Sequence, residues 1–277
     1  MPTFGRDDLV DLLAILIDAA DVEILPRFGR LAEAEVMAKT GPMDLVTVAD
    51  RAAERHIAAA LAARFPAAAF VGEETVAEDP GALDRIGASE LTVVIDPIDG
   101  TFNFASGLPL FGVMAAVVAG GETVAGVILD PITGSHMTAS KGEGAFLGHR
   151  DGRAARRLCV AAPVPVAEMH GCMGWSYLPA GQRETVAANL PRLAAAYGYR
   201  CAAHEYRLAA TGACHVLAYG KLMPWDHLAG CLIHAEAGGF SAKLDGSPYR
   251  PTDTAGGLIL APDETSWHAV REALLSA

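Results

Sequence analysis

Apolar residues near the N-terminus recur at helical spacing. Leu9, Leu12, Leu13, Leu16, Ile17, Ala20 and Ile24 predict an amphipathic helix within residues 6–30. A second stripe, Ala53, Ile57, Leu61 and Phe65, recurs every four residues and predicts a helix over 49–65. The pattern then shortens. Ala68 to Val71 and Leu91 to Ile95 are brief unbroken apolar runs, which read as buried strands. Gly112–Ala119 and Thr123–Leu129 flank Gly120-Gly121 and predict an antiparallel hairpin, with Ser135–Ala139 as a third strand. The glycine- and arginine-rich stretch 141–157 reads as a boundary between lobes. Beyond it come expected strands near 157–162 and 168–174 and helices near 181–197, 205–219 and 225–237. A strand pair and a helix over 263–276 close the chain. The pattern is mixed α/β, neither a regular βαβ series nor all antiparallel.

The strand at 91–95 is expected to end in Asp96-Pro97-Ile98-Asp99-Gly100-Thr101. Pro97 fixes its own φ and disfavours helix at Asp96, so the regular element should stop there. Two carboxylates three residues apart in such a turn can converge on one point. Gly100 lets the backbone come close to a ligand, and Thr101 adds a hydroxyl beside backbone N–H groups. Carboxylate oxygens suit hard cations such as Mg²⁺, and free N–H groups at a helix start suit phosphate. Read blandly, Asp-Pro and Asp-Gly are ordinary turn dipeptides.

Three further segments shift that balance. Gly72-Glu73-Glu74 again places carboxylates at a strand end, although adjacent glutamates are commonly a solvated pair. In Asp44-Leu45-Val46-Thr47-Val48-Ala49-Asp50, Thr47-x-x-Asp50 has the spacing of a helix N-cap, which leaves Asp44 unexplained. Trp225-Asp226-His227-Leu228-Ala229-Gly230 opens a helix that Gly238-Gly239 stops, and its small residues would allow close packing. Asp226 alone would read as a cap.

Taken in order, Asp44-x-x-Thr47-x-x-Asp50, Gly72-Glu73-Glu74, Asp96-Pro97-Ile98-Asp99-Gly100-Thr101 and Trp225-Asp226-x-x-Ala229-Gly230 resemble the inositol monophosphatase family. That family belongs to a superfamily of Mg²⁺-dependent, lithium-sensitive phosphatases. The resemblance spans nearly the whole chain and implies a layered α-β-α-β-α sandwich. It implies one domain over 1–277, with lobes near 1–150 and 151–277 and the active site between them. By the same resemblance, Glu73, Asp96, the Ile98 carbonyl, Asp99 and Asp226 would hold two or three Mg²⁺ ions. Thr101, paired with Asp50, would orient a metal-activated water, with Glu73 also catalytic. Asp99, Gly100, Thr101 and Asp226 would bind substrate. Glu74 and Lys39 would lie beside the ligands or serve a third ion. The implied assembly is a homodimer, and the implied partner is a small phosphomonoester.

Composition fits this. No apolar run among the 277 residues approaches a membrane span, and the start, with Arg6-Asp7-Asp8, is unlike a signal peptide. Five cysteines without a C-x-x-C read as core residues of a cytoplasmic protein. A net charge of −12 argues against nucleic-acid or membrane binding. It would also repel a phosphate dianion, and bound divalent cations remove that conflict by inverting the local charge.

The substrate is less defined. No Asp or Glu lies between Thr211 and Trp225, where inositol phosphatases place an acid against the inositol hydroxyls. The expected substrate is therefore a small polyol or sugar phosphate. Histidinol phosphate and 3′-phosphoadenosine 5′-phosphate are alternatives, and Arg207 is a possible substrate contact. A haloacid-dehalogenase-type phosphatase would need D-x-D-x-T, whereas this chain has D-x-x-D-G-T. A degenerate, purely binding relative should have lost some of the ligands, and all are present. His227 and His234 read as packing residues, and Arg150, Arg153, Arg156 and Arg157 as a solvated cluster.

Overall fold

The computed structural model describes residues 4–276. The chain opens with α1 (Arg6–Ala19), which loosens into a π turn at Ala20–Ile24. The expected extension to residue 30 does not form, because Pro26 has no N–H to continue the ladder. An antiparallel hairpin follows, β1 (Val36–Gly41) and β2 (Asp44–Thr47). It feeds α2 (Val48–Arg64), β3 (Ala69–Gly72), α3 (Glu73–Glu78) and α4 (Arg85–Ala88). Next come β4 (Leu91–Asp99), α5 (Thr101–Ala105), β5 (Gly112–Ala119), β6 (Glu122–Asp130), β7 (Ser135–Ser140), β8 (Gly144–His149) and β9 (Arg156–Arg157). The second half holds β10 (His170–Gly174), α6 (Ala180–Asn189), β11 (Ala195–Tyr197), α7 (Ala202–Ala210) and β12 (Val216–Tyr219). It closes with α8 (Pro224–Glu236), β13 (Phe240–Lys243), β14 (Leu258–Ala261) and α9 (Glu264–Leu275).

Strands β3 to β9 form a seven-stranded sheet in sequence order, with only β3 and β4 parallel. The five-stranded sheet has the order β11-β10-β12-β14-β13, parallel across its first three strands and antiparallel after them. Alternation assigns the faces. Val93, Ile95, Val113, Ala115 and Val127 pack against Leu12, Leu16 and Ile57 of α1 and α2. Val94, Met114, Ala116 and Ile128 point the other way, onto Tyr206, Leu228 and Ile233 of α7 and α8. That helix pair also covers Cys172, Leu217 and Leu260 of the second sheet. Met173, Val216 and Ile259 face Val186 of α6 and Trp267 and Val270 of α9. The result is the expected α-β-α-β-α stack. Gly230 lets α8 meet α7, since a Cβ there would overlap the Tyr206 ring.

Three expectations are corrected. First, β4 does not end at Ile95 but continues to Asp99, pairing Asp96 with Met114 and Asp99 with Gly112. The register shifts between those pairs, so Pro97 sits in a bulge where its missing N–H breaks no ladder bond. Second, the stretch 141–157 contains β8 and β9 and extends the first sheet to Arg157, while 158–162 forms no strand. Third, the two long helices are shorter than the apolar spacing suggests. The helix expected over 181–197 stops at Asn189 before Pro191, leaving Ala195–Tyr197 to pair with β10. The one expected over 205–219 stops at Ala210, before Gly212 turns at φ +74°, and Val216–Tyr219 is a central strand. Sheet pairing there overrides a helix-like apolar spacing.

Candidate active site

The end of β4, the β1–β2 hairpin and the starts of α3, α5, α7 and α8 meet around a cavity of about 540 Å³. Asp96, Asp99 and Asp226 each place a carboxylate oxygen so that all three lie within 4.8 Å of one another. The bulge brings this about by turning both β4 aspartates into the cavity. Asp226 arrives on α8, which begins with Pro224 at its first position and takes Met223 as its N-cap. Asp226 sits inside the first turn and is not the cap that its sequence position suggests. Asp99 is held from behind, because its Oδ2 accepts from the Cys201 thiol at 2.9 Å and from the Ala203 N–H at 2.6 Å.

The charges in this cluster are held against a strong gradient. Burial, then the neighbouring Asp226 charge, pushes Asp99 up to about 7. Asp226 rises to about 6, mainly through burial, although Lys221 opposes the shift. Asp96 is raised well above the carboxylate range by burial and by the charges of Glu73, Asp99 and Asp226. None of the three forms an ion pair among the described residues, since the nearby Lys39 bonds elsewhere. Three hard oxygen donors, buried and mutually repelling, fit a divalent cation such as Mg²⁺.

Glu73 lines the same cavity but stands apart from this trio. Its Oε1 accepts from Lys39 Nζ at 2.8 Å, and Glu74 accepts from the same ammonium at 2.5 Å. Burial opposes the Lys39 charge, but the two glutamates outweigh it and raise its pKa. Burial lifts Glu73 to about 7 and Glu74 to about 6, against the pull of Lys39. Glu54 orients this helix start by accepting from the Glu74 and Thr75 N–H groups, each at 2.7 Å.

The Thr101 hydroxyl lies 2.9 Å from Asp50 Oδ1 and 2.9 Å from the Ile98 carbonyl. It has one proton for two acceptors. Asp50 is fixed by the Thr47 cap, whose N–H and hydroxyl donate to its Oδ2 at 2.9 and 2.5 Å. Burial raises Asp50 to about 6 despite those donors. Gly100 has φ +87°, a conformation that turns the chain into α5 and exposes the N–H groups at its start.

Two residues behave differently from their sequence reading. Arg207 is directed away from the cavity, donating to Ser135 Oγ at 2.7 Å and lying 3.8 Å from Asp130. Asp44 lines the cavity mouth and accepts from Thr40 Oγ1. His227 is buried, with Nε2 3.0 Å from the Lys221 carbonyl and Nδ1 3.2 Å from the Tyr206 hydroxyl, a packing role. Sequence reading missed Glu54, Cys201, Glu205 and Arg200. Glu205 is a buried acid in the cavity wall, but its Oε1 accepts from the Tyr199 N–H at 2.8 Å.

Comparisons with known proteins bear on the family and the fold. The profile of the inositol monophosphatase family matches residues 9–276. An inositol-1-monophosphatase of Mesorhizobium japonicum is 35% identical over 246 residues, covering 87% of this chain and 88% of its own. Inositol monophosphatase 1 of Homo sapiens is 30% identical over 222 residues, covering 78% of this chain and 77% of its own. Among solved structures, the extragenic suppressor protein suhB of Bartonella henselae superposes with a TM-score of 0.79 at 28% identity, over 97% of this chain and 99% of that one.

Proposed function

The chain belongs to the inositol monophosphatase family and is a phosphoric monoester hydrolase, and we propose that it hydrolyses a small polyol or sugar phosphate with Mg²⁺ in the cavity described above. The observation that carries this reading is the trio Asp96, Asp99 and Asp226, within 4.8 Å of one another at the turn where Gly100 leads into α5. Two or three Mg²⁺ ions held by these residues, Glu73 and the Ile98 carbonyl would supply positive charge to the phosphate and acidify an attacking water.

The chain's own groups do the rest. Gly100 and Thr101 N–H groups hold phosphate oxygens at the start of α5. The Thr101 hydroxyl would donate its hydrogen bond to Asp50, leaving a hydroxyl lone pair to orient the water. Asp50 is then the proton sink behind Thr101. Lys39 keeps Glu73 and Glu74 from repelling the cluster. No side chain in this arrangement is phosphorylated. We read 1–277 as one domain whose lobes, near 1–150 and 151–277, close on the site, the second contributing Asp226. The same reading makes the protein a cytoplasmic homodimer, and light scattering on purified protein tests the assembly.

A phosphate-release screen tests the function. The panel holds myo-inositol 1-phosphate, glycerol 2-phosphate, histidinol phosphate and 3′-phosphoadenosine 5′-phosphate, each with and without Mg²⁺. Mg²⁺-dependent release from one or more is expected, and release from none overturns the proposal.

A further inference from the structure

Arg200 is the one non-glycine residue with a left-handed backbone among the described residues, at φ +56°. Glycine takes that conformation without steric cost, whereas a side chain strains it. The strained position therefore calls for a reason in the arginine side chain. The backbone on either side is held: Asn103 Nδ2 donates to the Tyr199 carbonyl at 2.8 Å, and Cys201 bonds Asp99. The guanidinium carbon lies 3.9 Å from the centre of the Phe102 ring, which fixes the plane of the group. One N–H donates to the Met43 carbonyl, at 2.9 Å, on the turn of the β1–β2 hairpin. Arg200 forms no ion pair among the described residues, and its Nε is buried without a partner.

The surroundings specify what such a group is for. Arg200 lines the cavity, and so does Lys221, which is exposed and also without an ion pair among the described residues. Of the cavity carboxylates outside the trio and Glu73, Glu205 is occupied by the Tyr199 N–H and Asp44 by the Thr40 hydroxyl. Phosphate already has its own cradle at Gly100 and Thr101, one residue before Phe102. With one Nη on the Met43 carbonyl and Nε buried, the other Nη is the guanidinium donor left to meet an oxyanion in the cavity, as a charge-assisted hydrogen bond.

We propose that Arg200 is a specificity-determining residue that binds a second oxyanion on the alcohol part of the substrate, so that the preferred esters carry a carboxylate or a further phosphate. This rests on the phosphatase reading of the same cavity.

The test uses the full chain at fixed free Mg²⁺ with two matched pairs of esters. These are 3-phosphoglycerate against glycerol 3-phosphate, and glucose 1,6-bisphosphate against glucose 1-phosphate. The first pair isolates a carboxylate and the second a phosphate. In the native chain, kcat/KM for the doubly anionic member of at least one pair should be higher by about tenfold or more, the scale of a charge-assisted hydrogen bond. In Arg200→Gln that ratio should fall to within about threefold of unity, mainly through KM. Arg200→Gly should show the same loss while its Tm stays equal or rises, because glycine relieves the left-handed backbone. That result separates lost recognition from lost structure. A native ratio near unity in both pairs, or a ratio that survives both substitutions, overturns the proposal. An equal loss on all four esters also does so, since Arg200 would then be holding the scissile phosphate. Release from none of them overturns the phosphatase reading and this proposal with it.

Discussion

The two ends of the cavity are built from different kinds of sequence. On the proposed reading, the phosphate end draws on one continuous stretch, Asp96 to Thr101, reinforced by Glu73 and Asp226 and, through Thr101, by Asp50. The alcohol end draws on Tyr177, Tyr219, Lys221 and Arg200, which come from separate connections after β10, after β12 and before α7. Phosphate and cation binding use backbone N–H and carbonyl groups as well as side chains. Their geometry is therefore coupled to one local chain path, a bulge leading into a left-handed glycine and a helix start. Recognition of the alcohol needs only that side chains converge, and any loop that reaches the rim can supply one. Chemistry is thus concentrated in the sequence and selectivity is scattered.

The largest expected effect would break this contrast at the phosphate end. Removing divalent cations with EDTA should take phosphate release to background, Mg²⁺ should restore it, and excess Ca²⁺ should inhibit. Ca²⁺ prefers more ligands and longer bonds than a site of this size offers to Mg²⁺. Full turnover in EDTA would mean that the carboxylate trio serves some other purpose.

Substitutions then grade the phosphate end. Asp96→Asn should lower kcat by roughly three orders of magnitude or more, since it removes a central cation ligand. Its fold should survive, because neutralising one member of a repelling cluster relieves strain in the metal-free protein. Thr101→Ala should lower kcat by about two to four orders, the range for a group that positions the nucleophile or handles its proton. Asp50→Asn should reproduce much of that loss if the two act as a unit. Near-normal turnover in Asp96→Asn, measured together with its metal content, would overturn the assignment.

The sequence exposed the phosphate end because local rules and chemistry agree there. Thr47-x-x-Asp50 was legible as a cap and is one, with Asp50 bonded to both the N–H and the hydroxyl of Thr47. The small residues of α8 were legible as a close-packing face, and Gly230 meets Tyr206. The errors share a cause. Pro97 signals the end of a strand in any local reading, and only pairing with β5 shows that it occupies a bulge. Likewise the apolar spacing of 205–219 hides a central strand whose identity comes from neighbours far along the chain. Arg200 was invisible for the same reason, because its partners Phe102 and Met43 lie about a hundred residues or more away.

A smaller effect concerns stability without metal. Burial and mutual repulsion raise Asp99 and Glu73 to about 7 in the folded chain, against ordinary values near 4 when unfolded. Between those values the folded state binds more protons than the unfolded state, so its stability falls as pH rises through about 7. Buried His227 and His234, both lowered to about 4, act in the opposite direction below about 6.5. That opposing contribution fades as pH rises above 6.5, so the fall caused by the carboxylates is sought in the window between pH 6.5 and 8. In EDTA, Tm should drop by about 2–4 °C across it, the scale of 1 kcal/mol for a chain of this size. Saturating Mg²⁺ should flatten the drop. A Tm that rises with pH in EDTA would show that the carboxylates are not carrying the expected repulsion.

The smallest expected effect lies at the alcohol end and concerns neutral alcohols alone. A site built to bond a hydroxyl can reject an analogue lacking it by about 10⁴ or more, because the site's own polar group is left unpaired. That penalty needs a free buried acceptor facing the substrate. Here no acid lies between Thr211 and Trp225, and the nearest candidate, Glu205, already accepts from the Tyr199 N–H at 2.8 Å. The remaining walls, Ser176, Tyr177, Tyr219, Gly220, Lys221 and Arg200, add contact area and donors but no further carboxylate to accept from paired hydroxyls. Myo-inositol 1-phosphate and glycerol 2-phosphate should therefore differ in kcat/KM by no more than about tenfold at saturating Mg²⁺. A preference of a hundredfold or more for the inositol ester would place a hydroxyl-reading group at this end, and the contrast between the two halves of the cavity would disappear.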